Sequence, residues 1–464
     1  MTDFLSDLAA RRRFGMKPGL DAIRAVCAAL GDPQKGLLAI HVAGTNGKGA
    51  VCAMLDACLR AGGLKVGRYT SPHLVRINER FVLDGNPVSD DKLGKYSKIV
   101  ENAISSWGQT LEKRGLSPME VTFFEALTAV AFVLYADEAL DYVVLETGLG
   151  GRLDATNICA PEISVITKIG LDHCDWLGDT VEKIAAEKAG IIKKGVPIVL
   201  GKNDPEVIAV VKARASEVGA PFFYAPDMAD ESEIPDGFSL EGAFNRENAI
   251  TALAALKVLC HLESVKGQLG PTLRDPKLTL TDSKPTLIDS KLTLNDPKQT
   301  LSDTMLKGLC NVVWPGRFQR VGRFIIDGAH NPPAARALAA ALSKYAPFAG
   351  SVPTLIAGFC GDKDVDETLR ILAPLVGKGI AVRTNNPRSL APEELARKME
   401  SAGISAVSCD SIHLALEKMG SVPNGSGVDT LICGSLFLAG EALAELGAFP
   451  WQADRFDAAE ILKV

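Results

Sequence analysis

The segment His41-Val42-Ala43-Gly44-Thr45-Asn46-Gly47-Lys48-Gly49-Ala50 joins an apolar run to a helical one through closely spaced glycines and a lysine. Glycines let backbone N–H groups approach phosphate oxygens. The N-terminus of the following helix favours their charge, and a lysine can bridge terminal phosphates. The hydroxyl residue that ordinarily follows Gly-Lys is missing, since Gly49 and Ala50 come next. A tight strand-to-helix turn with a chance lysine is the alternative reading.

Further chemistry-bearing residues fall where apolar runs end. Ser71, in Tyr69-Thr70-Ser71-Pro72-His73, can ligate magnesium or contact phosphate, or simply make a turn. Glu146 closes the run Tyr142–Leu145 and is followed by Gly148, Gly150, Gly151, Arg152 and Asp154. A carboxylate at the carboxyl end of a parallel strand sits beside a nucleotide crevice, and magnesium prefers such oxygen ligands. His173, in Leu171-Asp172-His173-Cys174-Asp175-Trp176, is a metal ligand, a base or a core imidazole. Lys188, on the helical pattern that follows, can pair with phosphate or lie exposed. Phe244-Asn245-Arg246-Glu247-Asn248 opens a helix and by itself suggests N-capping. Arg317 and the run Asp327-Gly328-Ala329-His330-Asn331-Pro332 flank a junction between two blocks of elements, where ligands commonly bind.

Positioning these groups requires parallel strands. Leu37–Val42, Lys65–Tyr69, Tyr142–Leu145, Ile163–Thr167 and Pro197–Leu200 read as strands. Gly49–Ala61, Val181–Lys193 and Asn248–Leu259 read as helices among them, an alternation that argues for β-α-β units. The pattern restarts with strands at Arg323–Ile326, Thr354–Ala357, Ile380–Arg383 and Asp429–Cys433, and with helices at Pro333–Tyr345, Pro392–Ala402 and Leu436–Leu446. The fold class is therefore α/β: a larger, mostly parallel N-terminal domain over 1–313 and a smaller one over 314–464, divided at Trp314-Pro315-Gly316. From Thr272 the chain repeats Thr-Leu-x-Asp-x-Lys-x at a spacing of seven, with Pro276, Pro285 and Pro297 opposing a helix. The stretch 272–306 reads as a solvated insertion without packed structure, and alternatively as a docking loop for a partner.

Composition narrows the function class. The 464 residues carry 50 Lys and Arg against 56 Asp and Glu, a net charge of −6, which argues against sequence-independent nucleic-acid binding. Ten cysteines without a Cys-x-x-Cys pair read as thiols of a reducing compartment. The first residues lack a signal pattern, and the most apolar stretch, Ala126–Ala136, is too short to span a bilayer and fits a core helix. The expectation is a cytoplasmic protein with no membrane segment.

Taken together, HVAGTNGKG, TSPHL, ETGLGGRLDATN, LDHCDWLG, EKAGIIK, WPGRFQ, DGAHNP, GFCGDKD and LICGSLFLAGE stand in the order seen in bifunctional dihydrofolate synthase/folylpolyglutamate synthases of the Mur ligase superfamily, which the chain resembles over nearly its whole length. The resemblance implies a P-loop NTPase-like domain followed by a smaller Rossmann-like domain. It also implies ATP-dependent addition of L-glutamate to dihydropteroate and to reduced folates through an acyl phosphate. It assigns Asn46, Gly47, Lys48, Gly49 and Ala50 to phosphate binding, and Asn248, Arg317 and Asp327 to the nucleotide. Ser71, Glu146 and His173 match magnesium-linked positions, with two ions expected. Lys188 matches a lysine that is carbamylated in relatives, a change that makes a cation into an anionic ligand. Thr122, Phe124, Leu153 and Asp154 match pterin-side contacts, and His330 a position near the incoming glutamate. Lys48, Lys188, Arg317 and His330 form the expected catalytic set.

Ala50 departs from the family pattern, which has a hydroxyl residue there. The rival readings are a cell-wall ligase of the same superfamily, a P-loop phosphotransferase or switch, and a non-enzymatic scaffold built on the repeat. A monomer is expected.

Overall fold

A computed structural model describes residues 19–113, 120–268, 301–343, 352–419 and 429–451. Two sheets organise them. The first has eight strands: β1 (Ala39–Ala43), β2 (Val66–Tyr69), β3 (Phe81–Leu83), β4 (Asn86–Pro87), β5 (Tyr142–Glu146), β6 (Pro161–Ile166), β7 (Ile198–Leu200) and β8 (Phe222–Tyr224). Their order is β4-β3-β2-β5-β1-β6-β7-β8, parallel from β2 to β8, with β3 and β4 added antiparallel. Strand β1 is central, with Val42 opposite both Glu146 and Val165.

Side-chain alternation buries both faces of this sheet. Along β5, Tyr142 and Val144 enter one apolar cluster while Val143 and Leu145 enter another. The first cluster lies under the Lys48–Ala61 and Ala243–Gln268 helices; the second takes Phe123–Asp137, a helix apolar all round that is buried as such a sequence must be. Thr122 caps that helix, accepting from Glu125 N, while Glu125 Oε2 accepts from Thr122 N at 2.8 Å.

The second sheet comprises β9 (Gln319–Val321), β10 (Phe324–Ile326), β11 (Thr354–Ala357), β12 (Lys378–Val382), β13 (Ser405–Cys409) and β14 (Thr430–Cys433), in the order β13-β12-β11-β14-β10-β9 with only β9 antiparallel. The two units interpenetrate at their contact. Val75, from the loop after β2, belongs to the apolar cluster of Ile326, Ile356 and Ile432 in the second sheet. A Cβ on Gly440 would stand 2.3 Å from the Leu74 carbonyl oxygen, so the Leu436–Glu445 helix rests directly on that loop.

Three expectations need correction. The helix expected over Asn248–Leu259 begins five residues earlier, at Ala243, where Asn245 Nδ2 donates to Glu241 O at 2.7 Å across the first turn, so Asn248 lies inside it. The helix expected over Val181–Lys193 ends at Ala189, since Gly190 lies against Arg152, where a Cβ would meet Arg152 Cβ at 2.3 Å. The insertion does not extend unpacked to 306. Leu301 is buried, Ser302 caps the Asp303–Lys307 helix by accepting from Met305 N, and Met305 and Leu306 pack on the first core cluster. The repeat over 272–300 lies outside the described residues.

Candidate active site

Strand β1 delivers the glycine-rich turn. Gly44 and Gly47 both take positive φ, 152° and 88°, and Lys48 begins the helix. The turn is fixed from below by the end of β6. Thr45 N and Asn46 N donate to Lys168 O at 3.0 and 3.2 Å, and Thr167 Oγ1 donates to Asn46 O at 2.7 Å. Asn248 lies against the turn from the other side, since a Cβ on Gly47 would meet its Oδ1 at 2.2 Å. The first N–H groups of a helix have no internal partner, so Lys48, Gly49 and Ala50 present amides. Ala50 itself is buried in the first core cluster, and what it offers a phosphate is that amide.

Two neighbouring strand ends complete this half. Glu146 closes β5 next to β1, and its Oε2 accepts from Ser71 N, after β2, at 2.9 Å. Burial pushes the Glu146 carboxyl up, opposed by Lys48, the Ser71 amide and Arg317. The following loop is tied down by Asp154, which accepts from Leu149 N at 2.9 Å and Thr156 N at 3.0 Å. A Cβ on Gly148 would stand 2.5 Å from the Phe124 ring, so the ring lies on the glycine run. Lys188 is buried and donates from Nζ to Gly44 O at 2.8 Å; burial and Lys48 bring its ammonium down to about 7.

The second sheet faces these groups. Asp327, at the end of β10, accepts from Phe318 N at 2.7 Å and Ala329 N at 2.8 Å. Burial raises its carboxyl, and the Arg317 guanidinium opposes that shift. His330 Nδ1 meets Gly328 O at 2.8 Å; a carbonyl only accepts, so Nδ1 carries a proton and Nε2 is the nitrogen turned toward Asp172. Asp172 bridges the halves. It accepts from Asn331 Nδ2 and Lys363 Nζ, each at 2.9 Å, and stands 3.8 Å from His330 Nε2. Burial alone would raise the Asp172 carboxyl, but His330, His173 and Lys363 hold it far below the ordinary carboxylate range. His173 takes the left-handed conformation at φ 52°, and desolvation lowers its imidazole to about 4.

One cleft of about 2400 Å³ gathers every residue that the resemblance assigns to the site, from Asn46 to His330, including Thr122 and Leu153, and Trp314 lines it too. Single-ligand pockets run to roughly 300–1,000 Å³, so the space admits several substrates at once. Thr122 and Asp154 also have structural work, as a helix cap and a turn anchor. Sequence reasoning gave no role to Asp172, Lys363 or Arg80, which also line the cleft. Lys363 lies within the GFCGDKD run and carried a signal in its charge; Arg80 sits beside a three-residue strand and carried none.

Among the described residues, no group of three or more His, Cys, Asp and Glu side chains is placed to hold a metal ion alone. Buried Glu146, held by the Ser71 amide in the cleft that His173 also lines, suits magnesium of the kind that is bound by one or two carboxylates together with substrate phosphates.

Comparison with known proteins fits this arrangement. Residues 92–231 match the Mur ligase middle domain and residues 316–436 the Mur ligase glutamate ligase domain. The dihydrofolate synthase/folylpolyglutamate synthase of Bacillus subtilis is 33% identical over 393 residues, covering 80% of this chain and 82% of the relative. The chain belongs to that family. It is an ATP-dependent ligase that joins glutamate to folates. Escherichia coli FolC in complex with DHPP and ADP superposes with a TM-score of 0.75 at 28% identity, covering 96% of this chain and 98% of that one. The Yersinia pestis bifunctional synthase with Mn, AMPPNP and L-glutamate bound gives 0.72 at 30%, covering 95% and 98%. In this family setting, the two sheets are the nucleotide-binding and C-terminal α/β units expected from the sequence.

Proposed function

We propose that the chain both forms dihydrofolate from dihydropteroate and L-glutamate and extends reduced folates into polyglutamates, with 1–313 as the ATPase domain and 314–464 closing over it. The observation that carries this reading is that Lys48 and Glu146 of the first sheet line the same cleft as Arg317, Asp327 and His330 of the second. Acceptor carboxylate attacks the γ-phosphate and ADP leaves; the glutamate amine then attacks the acyl phosphate and phosphate leaves. The first step brings two anions together, and Lys48 and Arg317 offset their repulsion. His330 Nε2, beside the Asp172 carboxylate at 3.8 Å, is the nitrogen that would take the proton from the incoming amine. Phe124, lying on the glycine run, offers a face to the pterin beside Thr122, Leu153 and Asp154. Asn248 and the amides of Asn46–Ala50 hold the nucleotide, and Asp327 its nucleoside.

Ser71, Glu146 and His173 would hold magnesium together with nucleotide oxygens, and that ion would offset phosphate charge. A second ion would require another anion. Carboxylation of Lys188 would supply one, supported by its burial against Gly44 O. The two halves of the site come from one chain, which supports action as a monomer. All ten cysteines are free, which supports a reducing, cytoplasmic setting.

The test is to incubate the protein with MgATP, glutamate and either dihydropteroate or a reduced folate, and to identify products by mass. One added glutamyl unit on each acceptor is expected. Product from neither acceptor overturns the reading, and product from only one removes the other activity. Lys48→Ala is expected to abolish ligation with an unchanged far-ultraviolet dichroism spectrum; retained turnover would contradict the mechanism.

A further inference from the structure

The residue after the P-loop lysine is a glycine, and the structure shows what stands in its side chain's place. A Cβ on Gly49 would lie 2.1 Å from Trp314 Cζ2 and 2.7 Å from Cη2, far inside contact distance. The indole therefore lies on the first turn of the phosphate-binding helix, in space that a side chain at Gly49 would fill. Trp314 is half-buried, packs on the first core cluster and lines the cleft. Its own position is fixed from behind. Arg68, on β2, stands with its guanidinium carbon 5.5 Å from the Trp314 ring centroid, and its Nη1 donates to fully buried Asp56 at 3.0 Å. Asp56 belongs to the same helix as Gly49, and its other oxygen accepts from Arg60 Nε at 2.9 Å. The indole is thus wedged between the start of the helix and an arginine anchored further along it.

Trp314 lies three residues before Arg317 on the link between the sheets. Gly316 makes the turn between them at φ 67°, with Leu74, Ala439 and Leu443 around it. We propose that Trp314 is a positioning residue for ATP. Its indole, seated on Gly49, registers the link that carries Arg317 against the helix turn that carries Lys48. The two cations that face the phosphates then keep one spacing. A gap left at Gly49 lets the link slide, and a side chain added at Gly49 pushes it away. The inference rests on the ATP-dependent ligation proposed above.

The experiment is a paired substitution read by calorimetric binding of a non-hydrolysable ATP analogue with magnesium, and by KM values in the ligation assay. Trp314→Ala is expected to weaken nucleotide binding about tenfold, the equivalent of roughly 1.4 kcal/mol. The glutamate KM should stay within twofold of the parent, and Trp314→Phe should fall between the two. Gly49→Ala is expected to lose nucleotide binding in the parent background and to recover it about tenfold or more when combined with Trp314→Ala, or with Trp314→Phe if the alanine variant does not fold. A merely structural role for the indole predicts no such recovery. The inference is overturned by unchanged nucleotide affinity in Trp314→Ala, by a Gly49→Ala variant that binds like the parent, or by a double variant no better than Gly49→Ala. In those cases ligation by the parent survives. If the parent binds no nucleotide at all, the ligase reading fails instead.

Discussion

Lys363→Met isolates the ion pair that joins the two halves of the cleft. Lys363 Nζ stands 2.9 Å from Asp172 Oδ1, and the two side chains are only 12% and 11% exposed, so water screens the pair weakly. Methionine keeps the apolar stem and removes the charge. Asp172 retains Asn331 Nδ2 and the His173 amide, both at 2.9 Å, so the carboxylate is not stranded. The loss is one charge-assisted hydrogen bond, about 1.5–3 kcal/mol. That is roughly 10- to 150-fold in an equilibrium. The residues sit on loops of different halves, after β6 and after β11, and the penalty falls on closure of the cleft more than on the fold of either half. A cleft that opens more often admits water to the acyl phosphate. The assay is ATP consumed per amide formed at saturating substrates, with Lys363→Arg alongside. Lys363→Met should consume ATP in excess of product, and Lys363→Arg should restore much of the coupling. Coupling in Lys363→Met as tight as in the parent, with an unchanged glutamate KM, would refute the reasoning.

Three other substitutions probe the frame. Asp56→Ala strands Arg68 in the interior without its carboxylate partner and should cost about 3–5 kcal/mol, read by denaturant unfolding; a loss under 1 kcal/mol would show that Arg68 finds water or another acceptor. Gly440→Ala drives a methyl into the Leu74 carbonyl and should separate the halves, giving two melting transitions by calorimetry where the parent shows one; a single unshifted transition would mean the helix moves aside. Glu441 accepts from Asn385 N at 2.8 Å, and burial lifts its carboxyl to about 7, above the ordinary 4.5. The folded state keeps that proton between pH 4.5 and 7 while the unfolded state releases it, so this group makes stability fall as pH rises through the window. Melting temperature against pH should be flatter there in Glu441→Gln, and an identical slope would remove Glu441 as the source.

Where the sequence was legible, one physical pattern was strong enough to dominate. The parallel strands β1, β5, β6, β11 and β14 are short apolar runs buried on both faces, and their ends place Gly44, Glu146 and the loops beyond within one cleft. Strands that lack that pattern escaped it. Strand β13, Ser405–Cys409, is a largely exposed edge of small residues without an apolar run, and β3 and β4 are too short to show a period. The Asp303–Lys307 helix was hidden for a different reason. Its Ser302 cap and the apolar Leu301, Met305 and Leu306 fall in register with the repeat before it, so a packed helix read as a further copy of a solvated unit. At the site, residues whose role depends on the local strand end were visible, whereas Asp172 and Lys363 were not. Their pairing spans 191 positions, and nothing in either local sequence encodes the partner.

Trp314, Pro315, Gly316 and Arg317 show how a short link can carry four separate constraints. The indole needs a glycine opposite it, at Gly49, and any side chain there competes for its space. Pro315 brings no N–H into a buried turn. Gly316 takes the left-handed conformation, and its own amide donates to Gln319 Oε1 at 2.9 Å, which closes the turn before β9. Arg317 then comes so near the Asp327 loop that a Cβ on Gly328 would stand 2.4 Å from its Nη1. Each constraint involves a different neighbour: the P-loop helix, the buried turn, β9, and the end of β10. Losing any one of them should change where the guanidinium points. On the proposal above, the spacing between Lys48 and Arg317 depends on Trp314, Pro315 and Gly316 as well as on the two cations, and variants along this link should alter ATP affinity before they alter the fold.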